Sequence, residues 1–270
     1  MEKKFLYHYT DFNAMCGIIS SGEIWLWNLR RMNDAQEMQY FINQFKKAVK
    51  KQLPDEFCPK ADQLFEENLK DFSKLSSYAV CFSEYSDDAA QWARYGKNGM
   101  GICIAFDMEL LAKVGEESHT PLCKVNYAAH AEDLEVVKEL SALIQNPTAE
   151  SREKISGIFN NLVNSSPLFK HPSFISEKEY RIVSLPESKN EYLGNPHFYI
   201  EETNIKKYYI LKLRDVCQKI GINYVDLFTE ICIGPQARVS KELLSDYFIS
   251  TGTPELADRI KLSECPLRRF

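Results

Sequence analysis

The sequence predicts an α+β fold, and three observations carry that reading. Segments with two-residue apolar alternation and segments with 3.6-residue apolar spacing both recur along the 270 residues. Their order lacks the regular strand–helix alternation of a doubly wound sheet. Short runs that are apolar throughout, such as AVCF at 79–82 and GICIAF at 101–106, have the composition of strands buried on both faces. The chain holds no internal repeat, low-complexity tract or domain-splitting linker. Residues 1–270 therefore read as one domain with helical insertions at about 35–75 and 133–165.

The elements follow in order. Lys4–Tyr9 reads as a strand with Phe5, Tyr7 and Tyr9 on one side and Leu6 and His8 on the other. Thr10 is placed to cap a helix whose Met15, Ile18 and Ile19 form a stripe and which Gly22 ends. EIWLWN at 23–28 is a second strand. Asp34 and Glu37 have capping-box spacing before a helix that repeats Met38, Phe41, Ile42, Phe45 and Val49. Pro54 and Pro59 mark a break, and a further helix carries Ala61, Leu64, Phe65, Leu69 and Phe72. A strand at 76–84 leads to a short helix through Gln91, Trp92 and Tyr95, entered at Ser86-Asp87-Asp88 and stopped by Gly96. The strand GICIAF follows, then a helix from Asp107 to Gly115, then a strand at 122–127. Two helices occupy 133–163, separated at Asn146-Pro147. FISEKEYRIV, residues 174–183, reads as a strand, followed by a loop at 185–197. The strands KYYILKL and EICIGP, a helix from Ser240 and a closing strand near Ile260 complete the chain.

Composition excludes several classes. A net charge of −5 argues against general affinity for phosphate backbones, which needs a basic surface. The eight cysteines show no CxxC pair, and several lie in apolar runs where cysteine acts as a small hydrophobe. The N-terminus MEKKFLYHYT lacks a signal-peptide core, and no apolar run has membrane-spanning length. A reduced cytoplasm and no membrane partner are the expectation. No GxSxG elbow or phosphate-cradling glycine loop occurs, and no cysteine has a setting that lowers its thiol pKa.

The candidates for chemistry are polar residues set in or beside core strands: His8, Ser83, Trp92, Tyr95, Glu177, Glu179 and Arg181. Period-two spacing in FISEKEYRIV would place Glu177, Glu179 and Arg181 on one face. Each also has a structural reading. His8 can be a hydrogen-bonded core histidine, Ser83 a strand end, Trp92 and Tyr95 a core stripe, and the charged trio the solvated face of an edge strand. Asp34, Glu37, Asp87 and Asp88 are explained by helix capping, and no metal site is expected.

The ordered segments LYHYTDFNAMCGIISSGEIWLWNLRRMND, AVCFSEYSDDAAQWARYGKNGMGICIAF, FISEKEYRIV, EICIGP and SECPLRRF resemble an uncharacterised bacterial family grouped with the ADP-ribosyltransferase-like fold. The resemblance spans nearly the whole chain. It implies a split antiparallel β-sheet with flanking helices and NAD⁺ as substrate, bound in the cleft between the halves. It assigns His8, with Tyr9 and Thr10 beside it, to a ribose of NAD⁺, and Ser83 with Tyr95 or Trp92 to the nicotinamide pocket. Glu179 becomes the catalytic carboxylate and Glu177 its assistant, with Arg181 holding their charge or binding pyrophosphate. Tyr9 stands where ADP-ribosyltransferases commonly carry glycine. The implied activity is mono-ADP-ribosyl transfer to a protein or nucleic-acid acceptor, or NAD⁺ hydrolysis, of the kind that serves a toxin or phage-defence effector. Two alternatives stand beside it: a non-catalytic NAD⁺, ADP-ribose or nucleotide sensor, and a metal-dependent nuclease using Glu177 and Glu179. His8 and the three charged residues are expected to face each other across one cleft.

Overall fold

The computed structural model describes residues 4–31, 38–127, 134–184, 190 and 192–267. In chain order the strands are β1 (Phe5–Thr10), β2 (Glu23–Asn28), β3 (Tyr78–Ser83), β4 (Ile102–Asp107), β5 (Leu122–Lys124), β6 (Glu179–Ser184), β7 (His197–Glu201), β8 (Asn204–Lys212), β9 (Phe228–Ile233) and β10 (Ile260–Leu262). The α-helices are α1 (Phe12–Cys16), α2 (Gln39–Gln52), α3 (Cys58–Leu69), α4 (Ala89–Arg94), α5 (Met108–Glu117), α6 (Glu135–Gln145), α7 (Ser151–Ser165), α8 (Leu213–Lys219) and α9 (Lys241–Ser250). The result is a mixed α+β structure on one large, mostly antiparallel sheet with helices on both faces; among the described strands only β9 and β10 pair in parallel.

Strand β3 organises the sheet. One of its edges pairs with β6 over its whole length, from Tyr78 opposite Ser184 to Ser83 opposite Glu179. Its other edge is shared: β2 pairs with Ala79 and Tyr78 at one end, and β1 meets Ser83 at the other. Strands β1 and β2 therefore diverge along the middle of β3 and leave a split. From β1 the sheet continues through β4 and β9 to β10, and from β2 through β8 to β7.

Side chains alternate across this sheet, so parity assigns each residue to a face. Even-numbered residues of β1, β2, β3, β4 and β6, such as Leu6, Ile24, Phe82, Ile104 and Ile182, enter the largest core with α5, α8 and α9. On the other face, Ala79 and Val183 lie beneath α2, α3, α6 and α7, which supply Phe45, Phe65, Leu140 and Phe159. Further along that same face, α4 and residues Cys265 and Leu267 cover Tyr9 and Cys103. Between these two coverings lies the odd-numbered middle of β3 and β6.

The local chemistry corrects several sequence expectations. Asp11, not Thr10, caps α1 by accepting from the Ala14 N–H at 2.8 Å. Gly22 does end that segment, with φ of +73° that side chains disfavour. Helix α5 runs through Gly115 to Glu117, because this glycine is there for close approach. A Cβ on it would lie 2.8 Å from the Thr120 carbonyl oxygen. FISEKEYRIV is not one strand. Pro172 opens a 3₁₀ segment through Glu177, His171 caps it, and Lys178 turns the chain with φ of +44° before β6 begins at Glu179. Strand β7 and helix α8 were not anticipated. Asp34 and Glu37 lie outside the described residues. Among the described residues no helix is long and apolar enough to cross a membrane, and the eight cysteines are free thiols.

A buried four-charge cluster as candidate site

The gap between the two coverings holds Glu177, Glu179, Lys170 and Arg181, each at most 5% exposed. Two elements bring the carboxylates together. Glu179 opens β6 and points to the odd face, opposite Ser83. Glu177 ends the 3₁₀ segment, and the left-handed turn at Lys178 aims it at the same cation. Positive φ on a lysine is uncommon backbone, held here by what flanks it.

Lys170, just past α7, is the bridge. Its Nζ lies 2.7 Å from Glu177 Oε2 and 2.8 Å from Glu179 Oε2. It also stands over the Phe174 ring at 4.9 Å. Arg181 donates from Nε to Glu179 Oε1 at 2.7 Å and from Nη1 to the Pro167 carbonyl at 2.5 Å. Two acids and two bases thus neutralise one another out of water, the condition under which buried charges persist.

Helix α4 closes the cluster from the solvent side. Asp88 caps it by accepting from the Gln91 N–H. Tyr95 donates its hydroxyl to Glu177 Oε1 at 2.7 Å, and Arg94 reaches the same oxygen at 3.2 Å with its side chain 48% exposed. Ser83 Oγ donates to the Glu177 carbonyl at 2.8 Å, and the Glu179 N–H donates to the Tyr127 hydroxyl at 3.0 Å.

The electrostatics follow from these partners. Burial alone pushes the Glu179 carboxyl up, but Arg181 and Lys170 more than offset it and hold it at about 2. Glu179 is therefore a fixed anion at any physiological pH. Burial pushes the Tyr127 phenol up to about 12, leaving it a neutral hydroxyl. The Cys81 thiol, beside Glu179, is driven well above its ordinary value by burial first and by that anion second. It is a poor nucleophile.

Of the residues singled out from sequence, Ser83, Tyr95, Glu177, Glu179 and Arg181 converge here. Tyr9 and Trp92 lie alongside, on the same face, as packing. Tyr9 donates its hydroxyl to the Tyr85 carbonyl and accepts from the Asp88 N–H. Trp92 is fully buried, edge-on to Tyr9 at 4.9 Å, with its indole N–H on Asp87. A Cβ on Gly96 would collide with its ring at 2.4 Å. That leaves no ring face of Trp92 for a ligand, so it is not an aromatic wall.

His8 and Thr10 are on the opposite face. His8 pairs across β1 and β4 with Ile104, a residue of the other core, and its ring meets Phe82 at 5.7 Å. The expected arrangement of His8 facing Glu179 across one cleft is therefore corrected: the thickness of the sheet separates them. His8 does sit in the split, where its Nδ1 donates to the Cys81 carbonyl at 2.8 Å. That bond fills a place on the β3 edge that neither β1 nor β2 reaches. Burial lowers its pKa, against the pull of that bond, so the ring is neutral with Nε2 as its acceptor.

Sequence reasoning missed Lys170, Arg94 and Tyr127. Lys170 lies in the loop LFKHPSF, where spacing carries no signal for a tertiary ion pair. Arg94, one residue before Tyr95 on α4, was within reach of the same argument. No group of three or more His, Cys, Asp or Glu side chains among the described residues is arranged to hold a metal. Lys170 already occupies the bridging position between the two carboxylates that a cation would take.

Residues 91–182, from α4 to β6, match the model of a family described as "Protein of unknown function (DUF2971)". This stretch contains all four buried charges together with Arg94, Tyr95 and Tyr127. No curated protein and no solved structure matches the chain.

Proposed function

We propose that this chain has an ADP-ribosyltransferase-like fold and consumes NAD⁺, transferring ADP-ribose to an acceptor or to water at Glu177 and Glu179. One observation carries the reading: two carboxylates, buried and paired through Lys170, sit beside Ser83 on β3, the strand at which the sheet splits. The split supports the same reading, with His8 in it.

Breaking the nicotinamide–ribose bond sends the bonding pair to nicotinamide and leaves positive charge on the ribose, as in glycoside cleavage. A carboxylate fixed in a poorly solvated site stabilises that charge where it forms. The geometry divides the labour differently from the sequence expectation. Glu179 has Arg181 and Lys170 on its two oxygens and acts as the fixed anion that holds Lys170 in place. Glu177 faces α4, and its Oε1 is held by Tyr95 and by the half-exposed Arg94. Swinging Arg94 aside opens that oxygen to a ribose or to an incoming nucleophile, whose proton Glu177 accepts. Tyr95 is then the aromatic residue positioned to line the pocket.

The test is release of nicotinamide from NAD⁺ by purified protein, with protein, RNA, DNA or water as acceptor. Glu177→Gln is expected to reduce the rate by about two decades or more. Absence of nicotinamide release with every acceptor sinks the proposal.

A second reading rests on a specific observation: every carboxylate oxygen of the cluster already has a protein partner. On that reading the domain binds NAD⁺ or ADP-ribose without turnover. Calorimetry showing saturable binding of ADP-ribose with no nicotinamide release selects it over the first.

A further inference from the structure

Strand β7 is the free end of the β8–β7 arm of the sheet: among the described residues it pairs with β8 alone. The other two terminal strands, β5 and β10, are three residues long and each carries a lysine. β7 has five residues, HFYIE, with no lysine, proline or bulge inside it. Proteins normally blunt such edges with those devices. Instead, Phe198 is 61%, Tyr199 44% and Ile200 75% exposed, and Ile205 on β8 is 61% exposed.

The hairpin geometry says which backbone groups face outward. Glu201 pairs with Asn204 across the two-residue turn Glu202–Thr203, so this closing pair is hydrogen-bonded. Bonding alternates along an antiparallel ladder, so Tyr199 and His197 also bond inward to β8. The N–H and C=O groups of Phe198 and Ile200 point to the open edge.

We infer that a second copy of this chain docks on β7, antiparallel, about a two-fold axis through Tyr199. In that register Phe198 of each copy faces Ile200 of the other, and each such pair exchanges two backbone hydrogen bonds. His197 of one copy lies opposite Glu201 of the other, an acid against a base at both ends. Tyr199 meets its own symmetry mate. The strand is thus self-complementary in hydrogen-bonding groups, an imidazole against a carboxylate at each end, and in apolar surface, which a two-fold contact requires. A two-fold axis perpendicular to the sheet keeps like faces together, so Phe198, Ile200 and Ile205 of both copies join in one apolar strip. Glu201 is held by Lys206 of β8 at 2.8 Å, which fixes its place at the end of the strand.

Sedimentation velocity on the full chain at tens of micromolar is expected to show a dimer. Ile200→Lys, at an exposed position, puts a lysine on each side of the axis and should weaken association by about tenfold or more with an unchanged circular dichroism spectrum. Tyr199→Cys should give a disulfide-linked dimer with oxidised glutathione, while Phe198→Cys and the unaltered chain should not. A monomeric unaltered chain, a dimer that survives Ile200→Lys, or crosslinking at Phe198→Cys in place of Tyr199→Cys would each overturn the assignment.

Discussion

The two faces of β3 pose opposite physical problems with the same strand. Its even residues, Tyr78, Val80 and Phe82, enter an apolar core where position is set by shape. Its odd residues, Cys81 and Ser83, adjoin Glu177, Glu179, Lys170 and Arg181, where position is set by charge. Shape tolerates approximate replacement, because neighbouring apolar groups can shift. Charge does not: each member of the cluster is buried only because its partners are present. The charged face is therefore the fragile one, and it faces the candidate chemistry.

The largest effect should come from Arg181→Met, which leaves Glu179 with Lys170 as its one remaining cation among the described residues, in a buried site. We expect a loss of about 3–5 kcal/mol by urea denaturation. Phe82→Ala on the other face should cost a comparable amount, about 3–5 kcal/mol. The two differ in rescue. Adding Glu179→Leu to Arg181→Met should recover much of the loss, because Lys170 keeps Glu177 and no unpaired charge remains. If the double variant is no more stable than the single, the cluster is not held by charge balance.

The next effect is pH dependence. The Glu179 carboxyl is lowered on folding to about 2. Its contribution to stability is complete above the unfolded value near pH 4.5 and is lost as pH falls toward 2. A shift of that size is worth on the order of 3 kcal/mol. Thermal denaturation between pH 2 and 5 should therefore slope steeply for the unaltered chain and for Phe82→Ala alike. Glu179→Gln should flatten that slope. An equal slope in Glu179→Gln would move the acid sensitivity elsewhere.

The same contrast explains what was legible in the sequence. The apolar face was: EIWLWN is β2 residue for residue, and the stripes Phe41/Phe45/Val49 and Ile155/Phe159/Leu162 mark α2 and α7. Periodicity records which side of an element is buried, and nothing more is needed there. The charged face was legible only in part. Glu177, Glu179 and Arg181 stood out by spacing, yet the spacing had a different cause, since Glu177 precedes the strand and reaches the cluster through the turn at Lys178. Lys170 decides whether those acids are buried or solvated, and its partners are seven and nine residues away across a turn that no period describes. His8 was wrongly expected to face the acids, because distance along a sheet gives no warning of which face a residue takes. Strand β7 escaped notice because Gly194 and Pro196 before it read as loop and its apolar side chains have no core to pack against.

A smaller effect is expected at Asp88, the cap of α4. Asp88→Ala removes the acceptor of the Gln91 N–H and should cost about 1 kcal/mol in thermal denaturation. Since α4 carries Arg94 and Tyr95, the same change should loosen the closure over Glu177. If the chain turns over NAD⁺ as proposed, a rise in KM for NAD⁺ larger than the fall in kcat is the expected signature.

The smallest effect on stability separates the two readings of the cluster. Arg94 is half exposed, and an ion pair of that kind contributes at most about 1 kcal/mol, so Arg94→Gln should leave the denaturation midpoint nearly unchanged. Its effect on function should be disproportionate. If Glu177 is the reacting carboxylate, Arg94 competes with substrate for Oε1, and removing it alters access to that oxygen. Nicotinamide release, or ADP-ribose binding if there is no turnover, should then shift several-fold. A variant unchanged in stability, rate and binding would mean that the α4 side of the cluster is only a lid. The chemistry would then have to be sought on the other face, where His8 meets the edge of β3 at the Cys81 carbonyl.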